Sequence, residues 1–316
     1  MLLLVTNRED LTTDWLILEL DRRGVPFQRL NLEDYPTRIR LEWTLDAAYL
    51  GVDGRTIAGA DISAVWWRRP VPPVMPPDLT PEEAEWASGE AQSALDGFWQ
   101  SLTAQWVNLP ERNVAASCKP EQLRRARRLG FQVPDTLVTN NRDAALRFVA
   151  RSGDAVCKSL RSARLPGRKG GLFYTSKVAL DDVERAPRQE WEPYLFQRLV
   201  GKQYDVRVTV IGDAAYACRI DSQRAPEGVV DWRRGAIEQM PHEIEHLPAE
   251  LERRCIELAH SYGLRFSAID LARGVNGEYN FFELNPNGQW AWIEQLTGLP
   301  LAGHLVDELC GGADDR

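Results

Sequence analysis

The chain has 316 residues, a formal net charge of −8, five cysteines and an apolar share of 44%. That length suggests two or three domains, or lobes of one catalytic unit, at about 100–200 residues each. The acidic balance argues against nucleic-acid or membrane-surface binding, which needs a basic field, and no apolar run approaches the ~20 residues of a membrane span.

Taken in chain order, residues 2–6 read as a buried strand. MLLLVTNRED is too short in its apolar part for a signal peptide and lacks a basic start. Asp14 to Arg23 reads as a helix with Trp15, Leu16, Leu18 and Leu20 as apolar positions and Gly24 as its stop. Val25 to Leu30 starts a second strand, so the opening is βαβ-like and suggests an α/β N-terminal lobe. Residues 41–58 predict a hairpin turning at Asp53-Gly54. A short strand, Ala64 to Trp67, precedes the basic pair Arg68 and Arg69, and Pro70 to Pro77 is extended. Thr80-Pro81-Glu82-Glu83 reads as a capping box with proline at the first helical position. A long helix is expected from Pro81 to Leu102, burying Trp86, Leu95, Phe98 and Trp99. The high tryptophan count points to core packing or a subunit interface.

Near residue 112 the pattern resets. A helix is expected over Pro120–Leu129, a strand over Gln132–Val138 and a helix over Arg142–Arg151. A strand over Ala155–Ser159 leads into a glycine- and arginine-rich loop, Arg161 to Gly171, with Leu172 to Thr175 as the returning strand. From Tyr194 onward the pattern predicts antiparallel strands with one helix at Pro248–Tyr262. The division expected is 1–112, an N-terminal α/β domain; 113–190, a central lobe; and 191–316, a C-terminal antiparallel-sheet lobe. The cysteines (Cys118, Cys157, Cys218, Cys255, Cys310) form no C-x-x-C, as suits reduced thiols in a cytoplasmic protein.

The sharpest chemical signal is a hairpin. SAIDLARG and EYNFFELNP flank Val275-Asn276-Gly277, and Asn-Gly predicts a two-residue type I′ turn. Counting outward from that turn pairs Val275 with Glu278, Ala272 with Phe281, Leu271 with Phe282 and Asp270 with Glu283. Asn285 lies on the same side of the strand as Glu283. Two carboxylates directly opposite one another repel, and burial raises the cost. A divalent cation removes it. Three oxygen donors without His or Cys suit Mg²⁺ better than zinc, and two ions sharing a carboxylate is the usual phosphate-handling form.

Phosphates need cations. Lys158 lies on the apolar strand AVCKSL, and the loop after it could close over phosphates with backbone N–H groups and Arg164, Arg168 or Lys169. No G-x-x-x-x-G-K-[ST] occurs. Polar residues recur on later apolar strands: Asp205 and Arg207 in YDVRVTVIG, Arg219 in ACRIDS, and Asp231 and Arg233 in VVDWRRG. Each alone reads more readily as a surface ion pair. Their concentration ahead of the acidic hairpin suits acyl phosphate and carboxylate recognition.

The order Lys119, Lys158, glycine-rich loop, FQRLV, DVRV and AID…FFELNPNGQW resembles the ATP-grasp superfamily. TTDWLILELDRRGVPFQRLNLEDYP, VWWRRP, DWRR and ELNPNGQW resemble more closely the ligases that mature graspetides, the microviridin-type ribosomal peptides. The resemblance implies an α/β (α+β) ATP-grasp fold of three lobes, with ATP between the central and C-terminal ones. It implies that ATP phosphorylates an Asp or Glu side chain of a precursor peptide carrying a leader, which a Ser or Thr hydroxyl or a Lys amine of that peptide then attacks. Carried onto matching positions, Lys119, Lys158, Gly170, Gly171 and Asp205 would serve ATP. The backbone of Gln197, Arg198 and Leu199 would hold adenine, with Arg198 where an acidic residue is common. Asp270, Glu283 and Asn285 would bind Mg²⁺. Arg207, Arg219 and Arg233, with Asp231, would serve the reacting phosphate. A homodimer is also implied.

Three other readings compete. A ligase of the same superfamily could add a free amino acid to an acceptor, and a nucleotide-binding module could lack turnover, although the full ligand set argues against that. His242-Glu243-Ile244-Glu245-His246 matches H-E-x-x-H. A zinc peptidase needs that pattern on a buried helix, and Pro241 and Pro248 leave barely a turn or two.

Overall fold

The protein is described here from a computed structural model, covering residues 1–161, 173–186 and 190–311. Strand β1 (Leu2–Thr6) is apolar at all but its last position and buried throughout, as suits the interior of a parallel sheet. Helix α1 (Leu11–Arg23) begins three residues before the expected Asp14 and stops at Gly24, whose φ of 66° is left-handed. The Thr6 and Thr13 hydroxyls both donate to Asp10 Oδ2, at 2.8 and 2.6 Å, which ties the helix start to the strand end. Leu16 and Leu20 are buried, and Leu18, halfway between them, points to solvent.

Strand β2 (Phe27–Asn31) is followed by a meander of β3 (Ile39–Trp43), β4 (Ala48–Val52) and β5 (Arg55–Ala58), where one hairpin was expected. Asp53 and Gly54 both take positive φ between β4 and β5, as a type I′ turn requires. Strand β6 (Ala64–Trp67) pairs parallel to β1. Helix α2 (Pro81–Ser101) starts at the Thr80–Glu83 capping box. Its buried stripe is Ala91, Leu95, Phe98 and Trp99. Trp86 is not part of it: nine residues before Leu95 is half a revolution away, and the ring is 71% exposed. Strand β7 (Gln105–Val107), which the sequence reading passed over, completes a parallel sheet of order β2-β1-β6-β7. The short helix α3 (Pro110–Ala116) leads out of it.

Helix α4 (Lys119–Arg128) is followed by β8 (Thr136–Thr139), α5 (Arg142–Ser152), β9 (Ala155–Lys158), β10 (Ser176–Val178), α6 (Leu180–Arg185) and β11 (Tyr194–Arg198). The strands form an antiparallel sheet of order β10-β9-β11-β8. The returning strand is thus 176–178; residues 173–175 of the expected one are not part of it, and Leu172 lies outside the described residues. Thr175 N–H is turned away to Asp231 Oδ2, at 2.9 Å, instead of joining a ladder. Strand β11 lies beyond the expected boundary at 190/191 yet pairs with β8 and β9.

The third large sheet is antiparallel, of order β14-β13-β12-β15-β16. Its strands are β12 (Lys202–Ile211), β13 (Ala214–Ile220), β14 (His242–Glu245), β15 (Phe266–Gly274) and β16 (Tyr279–Asn285). Helix α7 (Ala249–His260) covers one face. Two helices that the sequence reading missed, α8 (Ala291–Thr297) and α9 (Leu301–Cys310), lie on the other. There one core joins Leu2, Leu4, Leu16 and Trp66 of the N-terminal sheet and its helix to Ile211, Ile220, Phe266, Trp290 and Leu305. The central sheet has a separate small core of Ala145, Phe148, Val149, Ala155, Val183 and Phe196. No described helix is long and apolar enough to cross a membrane, and all five cysteines are free thiols.

Candidate active site

The β15–β16 hairpin carries the acidic pair. Its turn has three residues, not two: Gly274 N–H donates to the Glu278 carbonyl (2.8 Å), Gly277 N–H donates to the Gly274 carbonyl (2.9 Å), and Gly277 has φ 82°. That is a type I turn closed by a left-handed glycine. It moves the ladder by one, so Leu271 pairs with Phe281 and Ala272 with Asn280. A bulge at Phe282 moves it back, and Asp270 faces Glu283 after all. The bulged Phe282 presents its ring to the Lys158 ammonium, 4.5 Å from the ring centre.

The pair sits in a cleft of about 440 Å³ between the central and C-terminal sheets. That is the size of a small-molecule site. Lys119, at the start of α4, places Nζ 3.0 Å from Glu283 Oε2 and donates to the Ser159 carbonyl at 3.0 Å. One turn on, the buried Gln122 takes Leu284 N–H (3.0 Å) and donates to the Leu284 carbonyl (2.8 Å) and to that of Ala116. It thereby acts as a short extra strand along β16. Burial works to push Glu283 up, but Lys119, Arg233 and Lys158 outweigh it and hold this carboxyl down at about 2. Asp270 goes the other way, to about 6. Burial is the main cause, Arg207 opposes it and Glu283 adds to it. Arg207, opposite Asp270 on β12, has Nε 3.0 Å from Asp270 Oδ1 without hydrogen-bond alignment.

Across the cleft Lys158 donates to Gln197 Oε1 (2.8 Å), and Gln197 Nε2 donates to Thr136 Oγ1 (2.9 Å). Burial draws the Lys158 ammonium down to about 8, against the pull of Glu283. The Arg198 and Leu199 N–H groups donate to the Asp135 and Asp154 carbonyls. A base held by this backbone would therefore meet carbonyl oxygens. At the near end Lys202 and Asp205 form a buried ion pair of 2.6 Å, with burial pushing Asp205 up against the pull of Lys202. Asp231 binds Arg233 through both oxygens, at 2.8 and 2.6 Å, and also takes Thr175 N–H. Although burial opposes it, Arg233 holds Asp231 down at about 2.

Lys119, Lys158, Gln197, Arg198 and Leu199 all line the cleft, as do Asp205, Asp231, Arg233, Asp270, Glu283 and Asn285. Arg207 lies buried beneath Asp270. Arg219 does not join them. It pairs with Val206, which puts it on the opposite sheet face from Arg207, where it bonds Asp221 at 2.8 Å and stacks on Tyr204. Gly170 and Gly171, with Arg164, Arg168 and Lys169, lie outside the described residues. Residues His242–Glu245 of the H-E-x-x-H segment are strand β14, not a helix, and among the described residues no group of three or more His, Cys, Asp or Glu side chains is placed to hold a metal ion. This removes the zinc-peptidase reading. The donors at the hairpin are two carboxylates and the Asn285 amide oxygen, an all-oxygen set that fits Mg²⁺.

The sequence reading also passed over the groups that hold the 285–290 loop. Asn108 Nδ2 donates to the Pro286 carbonyl (3.3 Å), and Arg69 Nε to that of Asn287 (2.7 Å). Arg68 donates to the same Asn287 carbonyl and to Gln289 Oε1 (3.2 Å). A Cβ on Gly288 would collide with that of Ala268. VWWRRP and ELNPNGQW are therefore in contact, a relation that neither segment shows alone.

Residues 1–113 match the family model described as the MvdD pre-ATP grasp domain. No curated protein sequence matches the chain. Among solved structures, a RiPP-associated ATP-grasp ligase of Chryseobacterium gregarium, in complex with ADP and a leader and core peptide, is 29% identical. It superimposes with a TM-score of 0.89 over 99% of this chain and 97% of that one. The macrocyclase MdnB of Microcystis aeruginosa MRC is 28% identical, with a TM-score of 0.80 and 98% of each chain covered. The ATP-grasp ligase PsnB, complexed with a phosphomimetic variant of a minimal precursor, Mg and ADP, is 26% identical. Its TM-score is 0.76, over 98% of this chain and 97% of that one. The fold is the ATP-grasp fold, residues 1–113 belong to the MvdD pre-ATP grasp domain family, and over nearly its whole length the chain is similar to ATP-grasp ligases that act on ribosomal peptides.

Proposed function

We propose that this ligase closes rings in a ribosomally made precursor peptide, joining Asp or Glu side chains of the core to Ser or Thr hydroxyls or Lys amines while a leader segment docks on the enzyme. One observation carries the reading. The Asp270–Glu283 pair is ringed by Lys119, Lys158 and Arg233 in a cleft of nucleotide size. The full-length similarity to a ligase holding ADP, leader and core peptide supports it.

In this scheme a carboxylate oxygen of the peptide takes the γ-phosphoryl group of ATP, giving an acyl phosphate and ADP. A hydroxyl or amine of the same peptide then attacks the acyl carbon, phosphate leaves, and the attacking group loses its proton. Lys119 and Lys158 neutralise the nucleotide phosphates. Arg233 faces the transferring group, and Arg207 adds positive charge from beneath Asp270, where preorganised charge lowers the barrier. Bound by Asp270, Glu283 and Asn285, a pair of Mg²⁺ ions would supply further charge neutralisation to the phosphoryl oxygens. Asp231 holds Arg233 in place and anchors Thr175, beside the glycine-rich loop. The chemistry needs no side-chain nucleophile. A homodimer in the cytoplasm is part of the reading, and the free thiols support a reducing compartment.

The test is mass spectrometry of a candidate precursor, encoded beside the gene, after incubation with enzyme and Mg-ATP. Loss of one water mass per ring with ADP formation is expected. Gain of an amino-acid residue mass would favour ligation of a free amino acid, and AMP formation would sink the acyl-phosphate scheme.

A further inference from the structure

Arg68 is fully buried, with no carboxylate of the described residues in hydrogen-bonding range. Its nearest, Asp10, is 3.7 Å from Nε and already accepts the Thr6 and Thr13 hydroxyls. Burying a guanidinium on such terms is costly. Arg69, next along, has φ 44°, in the left-handed region that a side chain resists, and Pro70 follows it. The other described non-glycine residue with positive φ, Asp53, sits in a type I′ turn that demands it. Both costs bear on one acceptor: both guanidiniums donate to the Asn287 carbonyl, and Arg68 donates to Gln289 Oε1 as well.

Asn287 is held at its other end as well, because its N–H donates to Asn285 Oδ1 at 3.0 Å. The loop has no slack beneath it. Gly288 is pressed against Ala268, the residue that pairs with Asn285 on β15. The Asn285 amide is thus oriented by Asn287, and Asn287 by two arginines of the N-terminal lobe.

We propose that Arg68 and Arg69 are positioning residues that, through Asn287, fix the Asn285 amide and so set the divalent-ion affinity of the cleft. This rests on the reading of Asp270, Glu283 and Asn285 as the ion's ligands. Partners that orient a metal ligand typically change affinity by about 10–100-fold when removed.

The experiment uses the full chain with ADP and Mn²⁺, following free Mn²⁺ by electron paramagnetic resonance. Arg69→Gly is the informative variant, because Arg69 is exposed and glycine accepts its backbone angle, so the fold stands. Mn²⁺ affinity is expected to fall about tenfold, by more than any fall in ADP affinity measured without divalent ion, since Arg69 also lines the cleft, and the apparent Tm is expected to hold. Asn285→Ala is expected to lower Mn²⁺ affinity, and adding Arg69→Gly to it should lower it no further. Arg69→Lys should restore part of the loss. Unchanged Mn²⁺ affinity in Arg69→Gly, or losses that add in the double variant, would overturn the clamp and leave the metal reading standing. If the unaltered protein with ADP fails to bind Mn²⁺, or Asp270→Asn binds it equally well, the metal reading falls and the clamp with it.

Discussion

Lys119 Nζ lies 3.0 Å from Glu283 Oε2, which places the cation at the start of α4 directly on the carboxylate of the β15–β16 hairpin. The contact explains how a half-buried Glu283 stays ionised opposite Asp270. Replacing Glu283 by Gln keeps the shape and removes the charge. Ligase turnover is expected to drop by at least about a hundredfold, the scale on which preorganised charge acts. A coupled ADP-release assay reads it, and near-normal rates would refute the role given to this residue.

Lys158 gives a pH dependence with a definite sign. Its ordinary value is 10.5, and in the folded chain burial, aided by Lys119, draws it down to about 8. Between those values the unfolded chain holds more protons, so the free protein gains stability as pH rises from about 8. Nucleotide binding runs the opposite way, because phosphates favour the charged ammonium. ADP affinity should hold below about pH 8 and weaken above it by up to about tenfold per unit. Calorimetric titrations across that range check this. A flat profile, or the same slope in Lys158→Met, counts against it.

Gln122→Leu should act through β16. The change leaves the Leu284 N–H and carbonyl without their side-chain partners in a buried place, at about 1–3 kcal/mol each. A lowered apparent Tm and faster hydrogen exchange at Leu284 are expected. Unaltered exchange there would show that β16 does not depend on this residue.

Gly288→Ala tests the close packing of the loop. The new methyl meets Ala268 head-on, and Arg207 Nη1 is 3.2 Å from the same point. Overpacking of this kind costs about 1–3 kcal/mol, and here the strain falls on the loop that carries Asn285. Mn²⁺ binding with ADP should weaken more than ADP binding alone. Equal effects on both would mean that the loop absorbs the methyl elsewhere.

Much of this was legible in the sequence because it depends on local rules. The Thr80–Glu83 box, the Gly24 stop and the Asp53-Gly54 turn each follow from a few neighbouring residues. The acidic pair was legible for a subtler reason. The turn is one residue longer than Asn-Gly implies, the bulge at Phe282 takes up that residue, and the two departures cancel at Asp270 and Glu283. Alternation cannot reveal a bulge at Phe282 when Phe281 beside it is aromatic too. Arg219 was misplaced because a polar residue on an apolar strand says nothing about which sheet face is the cleft; the cross-strand register decides that. The Arg68–Asn287 contact spans 219 positions and was beyond any local pattern.

The core shared by the first and third large sheets has a mechanical consequence. Leu4, Trp66, Phe266 and Trp290 belong to one packed cluster, so those two sheets behave as a single stiff jaw, reinforced where Arg68 grips the 285–290 loop. The small central sheet packs mostly around its own core and reaches the third sheet's core only through Leu195 and, just past β9, Leu160, among the described residues. Interiors packed to this density move as blocks and do not bend. For the proposed ATP chemistry, admitting and releasing a nucleotide then falls to the central sheet, which carries Lys158 and Gln197 opposite Asp270 and Glu283.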